Sequence, residues 1–241
     1  MPHAVLELFS GTGSCGSVCE RKGYDVVSVD ITNHGGLYHP THLVDIMEFN
    51  YNQYPKDHFD IIWASPPCRY YSVLQFSWYG RTRVIDGERV IFTKEIHDRL
   101  MNQDDQLSKK AIEIIKYFRP KLWFIENPDN SQLKNRDHMK DLPFYRVSYC
   151  HYGFPYRKNT RIWTNLEGFQ PKLCRNDCDQ RVNSIHKNNL AKDNLKKNRM
   201  KHISEAQGVY KGRGTRKLER YRIPPKLLDE LIPDLVKTEQ Q

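Results

Sequence analysis

A chain of 241 residues is long enough to bury one sizeable core, and a formal net charge of +9 points to a polyanionic partner, most simply nucleic acid. No stretch reaches the roughly 18 apolar residues of a membrane span, and the N-terminus enters a strand pattern at once instead of a signal peptide, so an intracellular, cytoplasmic protein without a membrane partner is expected. Six scattered cysteines, Cys15, Cys19, Cys68, Cys150, Cys174 and Cys178, argue against a secreted disulfide framework, and Cys68 is expected as a free thiol.

In chain order, apolar runs alternate with helix-like stretches, the pattern of an α/β fold with a parallel sheet covered by helices on both faces. The predicted strands are "HAVLELF" (3–9), "DVVSVDI" (25–31), "FDIIWAS" (59–65) and "KLWFIEN" (121–127). The first runs into "LELFSGTGSCG" (6–16), whose Gly11 and Gly13 allow a tight strand-to-helix turn and close approach of a ligand. Asp30 closes the second strand, where an acid in such a sheet holds a ribose hydroxyl pair. The intervening helix is short and no second glycine triplet follows, which favours a nucleoside-type cofactor over a dinucleotide. The third strand ends in "ASPPCRYYS" (64–72), with Cys68 after two prolines: either a small packed hydrophobe or a nucleophile on a rigid mount. In "DQLSKKAIEIIKYF" (105–118), Leu107, Ala111, Ile112, Ile114, Ile115 and Phe118 share one helical face. Residues 166–220 then hold fourteen lysines and arginines against six aspartates and glutamates, a net +8 that leaves +1 for the rest of the chain.

The ordered segments "LELFSGTGS" (6–14), "VDI" (44–46), "SPPCRYYS" (65–72), "IENP" (125–128) and "YGFPYRKNTRIW" (152–163) resemble the motifs of the DNA cytosine-5 methyltransferases. The resemblance covers residues 1–165 and implies a Rossmann-like catalytic domain that uses S-adenosyl-L-methionine and methylates carbon 5 of a cytosine flipped out of double-stranded DNA. By motif position it implies that Phe9, Ser10, Gly11, Thr12, Gly13, Ile31 and Pro66 line the cofactor pocket, Asp30 holds its ribose, and Asp45 and Ile46 face its adenine. Cys68 matches the nucleophile that adds to carbon 6, and Glu126 the acid that contacts N3 and the exocyclic amine. Arg161 is implied to sit near the base's O2 and the thiolate, where positive charge raises the thiolate fraction. Arg69, Ser72, Asn127, Arg157 and Lys158 fall on the substrate side.

The departures from the family pattern are Arg69 in place of glutamine, Pro128 in place of valine, and one extra residue in "YRKNTRIW", which leaves Arg157 and Lys158 as alternatives for the earlier arginine. This texture resembles small viral and phage members, in which restriction protection and genome marking leave the same motifs. Such an enzyme must take its base out of the duplex. The aromatic and arginine-rich segment 69–104 is therefore expected as a lid over the flipped nucleotide, with Arg81 and Arg83 touching phosphate.

Residues 166–220 occupy the place of the family's target-recognition domain, and "YRIPPKLLDELI" within 221–241 resembles its closing helix, with Pro224 or Pro225 at the start. In the basic region Cys174, Cys178 and His186 are candidate zinc ligands, with His202, His151 or Cys150 as the fourth; unligated cysteines in a basic loop are the reading preferred here. A monomer is expected. The alternatives are a structured RNA as substrate and a catalytically silent DNA-binding protein, against which intact Cys68, Glu126 and Arg161 argue.

Overall fold

A computed structural model describes residues 3–183, 200–202, 218–219 and 221–235. The strands are Ala4–Leu8 (β1), Asp25–Asp30 (β2), His42–Leu43 (β3), Phe59–Ala64 (β4), Thr82–Ile85 (β5), Glu88–Ile91 (β6), Leu122–Pro128 (β7), Phe144–Ser148 (β8), Asn159–Thr164 (β9), Arg181–Asn183 (β10) and Met200–His202 (β11). The helices are Ser14–Arg21 (α1), Lys94–Phe118 (α2) and Pro225–Leu231 (α3). Seven strands form one sheet in the order β3-β2-β1-β4-β7-β9-β8, parallel except for β9, which runs against both of its neighbours. The remaining strands pair as two hairpins, β5 with β6 and β10 with β11.

β1 is buried along its whole length, as a central parallel strand covered on both faces must be. Strand alternation divides the core in two. Leu6, Leu8, Ile62 and Ile125 pack with Ala111, Ile114 and Phe118 of α2. Val5, Ile61, Trp63 and Phe124 face the other way, onto Val18 and Cys19 of α1 and Leu227, Leu228 and Leu231 of α3. Helix α3 is further tied to α1 through Arg21 with Asp229, and the segments that follow the two helices pair through Lys22 with Asp234, each at 2.7 Å. Sheet order reverses between β1 and β4, so the carboxyl ends of these strands border the crevice where ligands bind in open α/β sheets.

The crossover helix is longer than the apolar face at 105–118 predicts, starting at Lys94, where the Thr93 hydroxyl accepts from the Ile96 amide at 3.3 Å. Its first half buries His97, Asp104 and Asp105 alongside Leu100 and Met101, and polar residues on the buried side hide the periodicity. Segment 69–104 is folded: a 3₁₀ turn over Val73–Trp78 leads into the β5–β6 hairpin. That hairpin turns on Asp86 and Gly87, both at positive φ, as a two-residue primed turn requires. It packs Ile85 and Phe92 onto Leu100 of α2. Among the described residues no helix is long and apolar enough to cross a membrane.

Candidate active site

The glycine-rich turn is built on a buried acid. Glu7 points into the α1 side of the sheet, and its two carboxylate oxygens accept from the amides of Cys15 at 3.1 Å and Gly16 at 3.0 Å. Burial pushes its carboxyl up to about 8, against the pull of those two amides. A Cβ on Gly16 would lie 2.7 Å from a Glu7 oxygen, which explains the glycine there. Two first-turn amides of α1 are thereby taken, so the turn lacks the open phosphate cradle of a dinucleotide fold. Gly11 and Gly13 sit at φ +53° and +63°, and a Cβ on Gly13 would meet nothing within 4 Å, leaving the front of the turn open. Asp30 accepts from the Gly11 amide at 2.8 Å through one oxygen and from the Thr32 amide at 2.9 Å through the other. Each oxygen keeps capacity for a hydroxyl donor. An open turn, an acid beside it and no phosphate cradle fit a nucleoside cofactor such as S-adenosylmethionine.

The other implied cofactor residues lie around this turn with differing exposure. Phe9 adopts φ +56° at its start, and Ser10 and Thr12 are nearly buried. Ile31 is 69% exposed beside Asp30, whereas the Ile46 side chain is buried in the core under the sheet. Asp45 accepts from the Met47 amide at 2.9 Å in the loop after β3.

Cys68 follows β4. The Ser65 amide still bonds to Leu8 at 3.1 Å, and Asn127 of β7 donates to the Pro66 carbonyl at 2.9 Å, so the Pro-Pro segment is held from both neighbouring strands. The partly buried thiol is pushed up by desolvation, pulled back by Lys158, and pushed up again by Glu126 and then Asp104. Glu126, near the end of β7, is 6% exposed; one of its oxygens accepts from the Tyr149 hydroxyl at 2.9 Å and from Lys158 Nζ at 3.3 Å. The Lys158 ammonium also lies 4.8 Å from the centre of the Tyr149 ring. Cys68, Glu126, Lys158 and Tyr149 thus form one electrostatic group at the crevice between β4 and β7.

Arg161 stands elsewhere. β9 pairs Glu126 with Ile162 and Asn127 with Arg161, and because successive residues point to opposite faces, Arg161 turns toward Phe144, 3.8 Å from its ring centre, and Trp163. There it donates to Asp129 at 3.2 Å, and Arg146 holds the other oxygen of that carboxylate at 2.7 Å. The cation with the largest effect on the Cys68 thiol is Lys158. Arg157 is exposed.

Arg69 stacks on Tyr70, 4.1 Å from its ring centre, and stabilises the buried Asp104 carboxylate, whose carboxyl is nonetheless raised to about 6 by desolvation. Ser72 caps the following 3₁₀ turn through the Leu74 amide. Arg83 donates to Gln75 and lies over Trp78 and Phe92, and Arg81 lies 5.9 Å over Trp78. Around them Leu74, Phe76, Trp78 and Tyr79 are exposed. Cys174 and Cys178 lie outside this cleft, beside Cys150 and His202; His186 falls outside the described residues.

Sequence reasoning missed Tyr149 and Asp129. Asp129 directly follows "IENP" and could have been suspected; Tyr149 carries no local signal, because its contact with Glu126 spans 23 residues.

Compared with known proteins, the family described as C-5 cytosine-specific DNA methylase matches residues 3–146. A protein of Frog virus 3 (isolate Goorha), named a probable DNA (cytosine-5)-methyltransferase, is 36% identical over 234 residues, 95% of this chain and 98% of the relative. Among solved structures, a candidate DNA modification methyltransferase encoded in an E. coli prophage aligns with TM-score 0.46 at 18% identity, covering 67% of this chain and 46% of its own. The Entamoeba histolytica methyltransferase EhMeth aligns with TM-score 0.46 at 16% identity, covering 72% of this chain and 56% of its own. The chain spans about half the length of these two solved proteins.

Proposed function

This chain belongs to the C-5 cytosine-specific DNA methylase family, and we propose that it methylates carbon 5 of a cytosine flipped out of duplex DNA through a covalent adduct between Cys68 and carbon 6. Family membership makes it a DNA cytosine-5 methyltransferase, ahead of the RNA-modifying and catalytically silent alternatives. The observation that carries the mechanism is the grouping of Cys68 with Glu126 and Lys158, which makes the two ring-activating functions neighbours.

Carbon 5 of cytosine is a poor nucleophile until the ring is converted to an enamine. The Cys68 thiol gives up its proton to solvent, a loss favoured by the Lys158 ammonium, and its sulfur forms a bond to carbon 6. Glu126, held by Tyr149 and Lys158, faces N3 and the exocyclic amine and draws electron density from the ring as the sulfur adds. When bound, S-adenosylmethionine supplies an electrophilic methyl group. Gly11, Gly13 and Asp30 orient its nucleoside at the switch point, next to the Cys68 loop. With S-adenosylhomocysteine as the leaving group, carbon 5 would gain the methyl group, its proton would pass to solvent, and the bond from sulfur to carbon 6 would break to return the thiolate.

With labelled S-adenosylmethionine and duplex DNA the protein should form 5-methylcytosine, and DNA containing 5-fluorocytosine should be trapped covalently because no proton can leave carbon 5. Cys68→Ser should abolish both while retaining cofactor binding. Undiminished turnover in that variant, or no adduct from an otherwise active enzyme, would refute the mechanism.

A further inference from the structure

Outside the catalytic cleft, four side chains from three separate segments converge on one point. Cys150 comes from the 3₁₀ turn Tyr149–Tyr152 after β8, Cys174 and Cys178 from "CRNDC" between β9 and β10, and His202 from the end of β11. Their ligand atoms all lie within 4.8 Å of one another, with Cys150, Cys178 and His202 buried. The β10–β11 pairing sets His202 opposite Arg181, three residues beyond Cys178, and so brings the imidazole to the cysteines.

The spacing has a specific meaning. Tetrahedral zinc, with Zn–S near 2.3 Å and Zn–N near 2.05 Å, has sulfur-to-nitrogen edges of about 3.6 Å. His202 Nε2 lies 3.6 Å from the Cys174 sulfur and 3.4 Å from the Cys178 sulfur. His151, the neighbour of Cys150, pairs instead with Asp177 at 3.2 Å.

The surrounding structure needs such a link. Among the described residues, none of the apolar clusters draws one from 170–183 or 200–202, and a hairpin of two three-residue strands is at best marginal alone. The hairpin's two strands are joined through 184–199, which carries five lysines and arginines against one aspartate.

We propose that Cys150, Cys174, Cys178 and His202 bind one structural Zn²⁺ ion that fastens the β10–β11 hairpin, and the basic segment it brackets, to the catalytic sheet. Binding takes three thiolates and a neutral imidazole, so three thiol protons pass to solvent and no electron is transferred.

The test is metal analysis of the full chain, purified under reducing conditions from zinc-containing medium without chelator. One zinc per chain is expected, and Co²⁺ exchanged into it should give the intense visible bands of a tetrahedral thiolate site. Cys178→Ser and Cys150→Ser should lose the metal, His202→Cys should keep it, and His186→Ala and Cys15→Ser should leave it unchanged. Should the serine variants fail to fold, the stoichiometry and cobalt spectrum of the unaltered chain still decide. A folded protein without zinc whose thiol reactivity is indifferent to added Zn²⁺, a mass decrease marking a Cys174–Cys178 disulfide, or zinc retained by the Cys150→Ser, His202→Ala double variant would each overturn the assignment.

Discussion

Replacing Tyr149 with phenylalanine removes one hydroxyl and leaves the ring that packs in the core. That hydroxyl donates to Glu126 at 2.9 Å from a fully buried position, and the remaining partner of the same oxygen is Lys158 at 3.3 Å. A hydrogen bond to a buried charged group contributes about 1.5–3 kcal/mol. If Glu126 must be aimed at the base as sulfur adds, most of this loss falls on the transition state, and kcat should drop about 10- to 100-fold. Steady-state methyl transfer measured over a range of DNA concentrations separates kcat from KM, the rate of trapping by 5-fluorocytosine DNA isolates the addition step, and a melting curve reports stability. The reasoning fails if the phenylalanine variant melts lower but keeps kcat and trapping within twofold of the parent, because the hydroxyl would then only stabilise the core.

Lys158→Met should raise the Cys68 pKa further, since a cation that favours the thiolate is gone, and iodoacetamide alkylation at fixed pH should slow. Arg161→Met should leave that alkylation profile in place and instead cost about 1–3 kcal/mol of stability, because Asp129 keeps Arg146 as a partner; a larger alkylation shift for Arg161→Met than for Lys158→Met would reverse the assignment of the cation. For Glu7, raised from 4.5 to about 8, the folded state holds a proton that the unfolded chain releases, so its contribution is fully present below pH 4.5 and is lost as pH rises toward 8. Glu7→Gln should flatten the decline in melting temperature between pH 5 and 8, and an unchanged slope would show that Glu7 is ionised in the fold.

The parts of the site that were legible in the sequence are local ones. Cys68 is mounted by the two residues before it, and Gly11, Gly13 and Asp30 end strands whose apolar runs announce themselves. What was not legible depends on pairing across the chain. A motif gives the position of Arg161 but not its face, and the register of β9 against β7 turns it away from Glu126 toward Phe144. The first half of α2 was hidden because its buried side carries Asp105, which accepts from Tyr71 at 2.8 Å and pairs with Arg136, so polar contacts replace the apolar stripe. The four clustered ligands were each legible as candidates, but which of them meet follows the same rule: 24 residues separate Cys150 from Cys174 and again Cys178 from His202, and only the β10–β11 hairpin closes the second gap.

The short turn after β8 joins the two sites. Tyr149 reaches Glu126 from one face of the sheet, while the next residue, Cys150, points into the cluster with Cys174, Cys178 and His202. The turn is otherwise pinned by the bond from the Tyr149 amide to Lys158 and by β8, where Ser148 receives the amide of Cys174 on its hydroxyl at 3.0 Å and donates its own amide to Lys172. Metal removal would therefore release both the basic segment and the residue next to the one that aims Glu126. If the hairpin only delivered lysines and arginines to phosphate, chelation would raise KM for DNA and steepen nothing else. Because Cys150 and Tyr149 are adjacent, chelation should also lower kcat, in the same direction as Tyr149→Phe, and should add little further loss in that variant. A chelated enzyme with an unchanged kcat at saturating DNA would separate the cluster from catalysis and confine it to holding the hairpin.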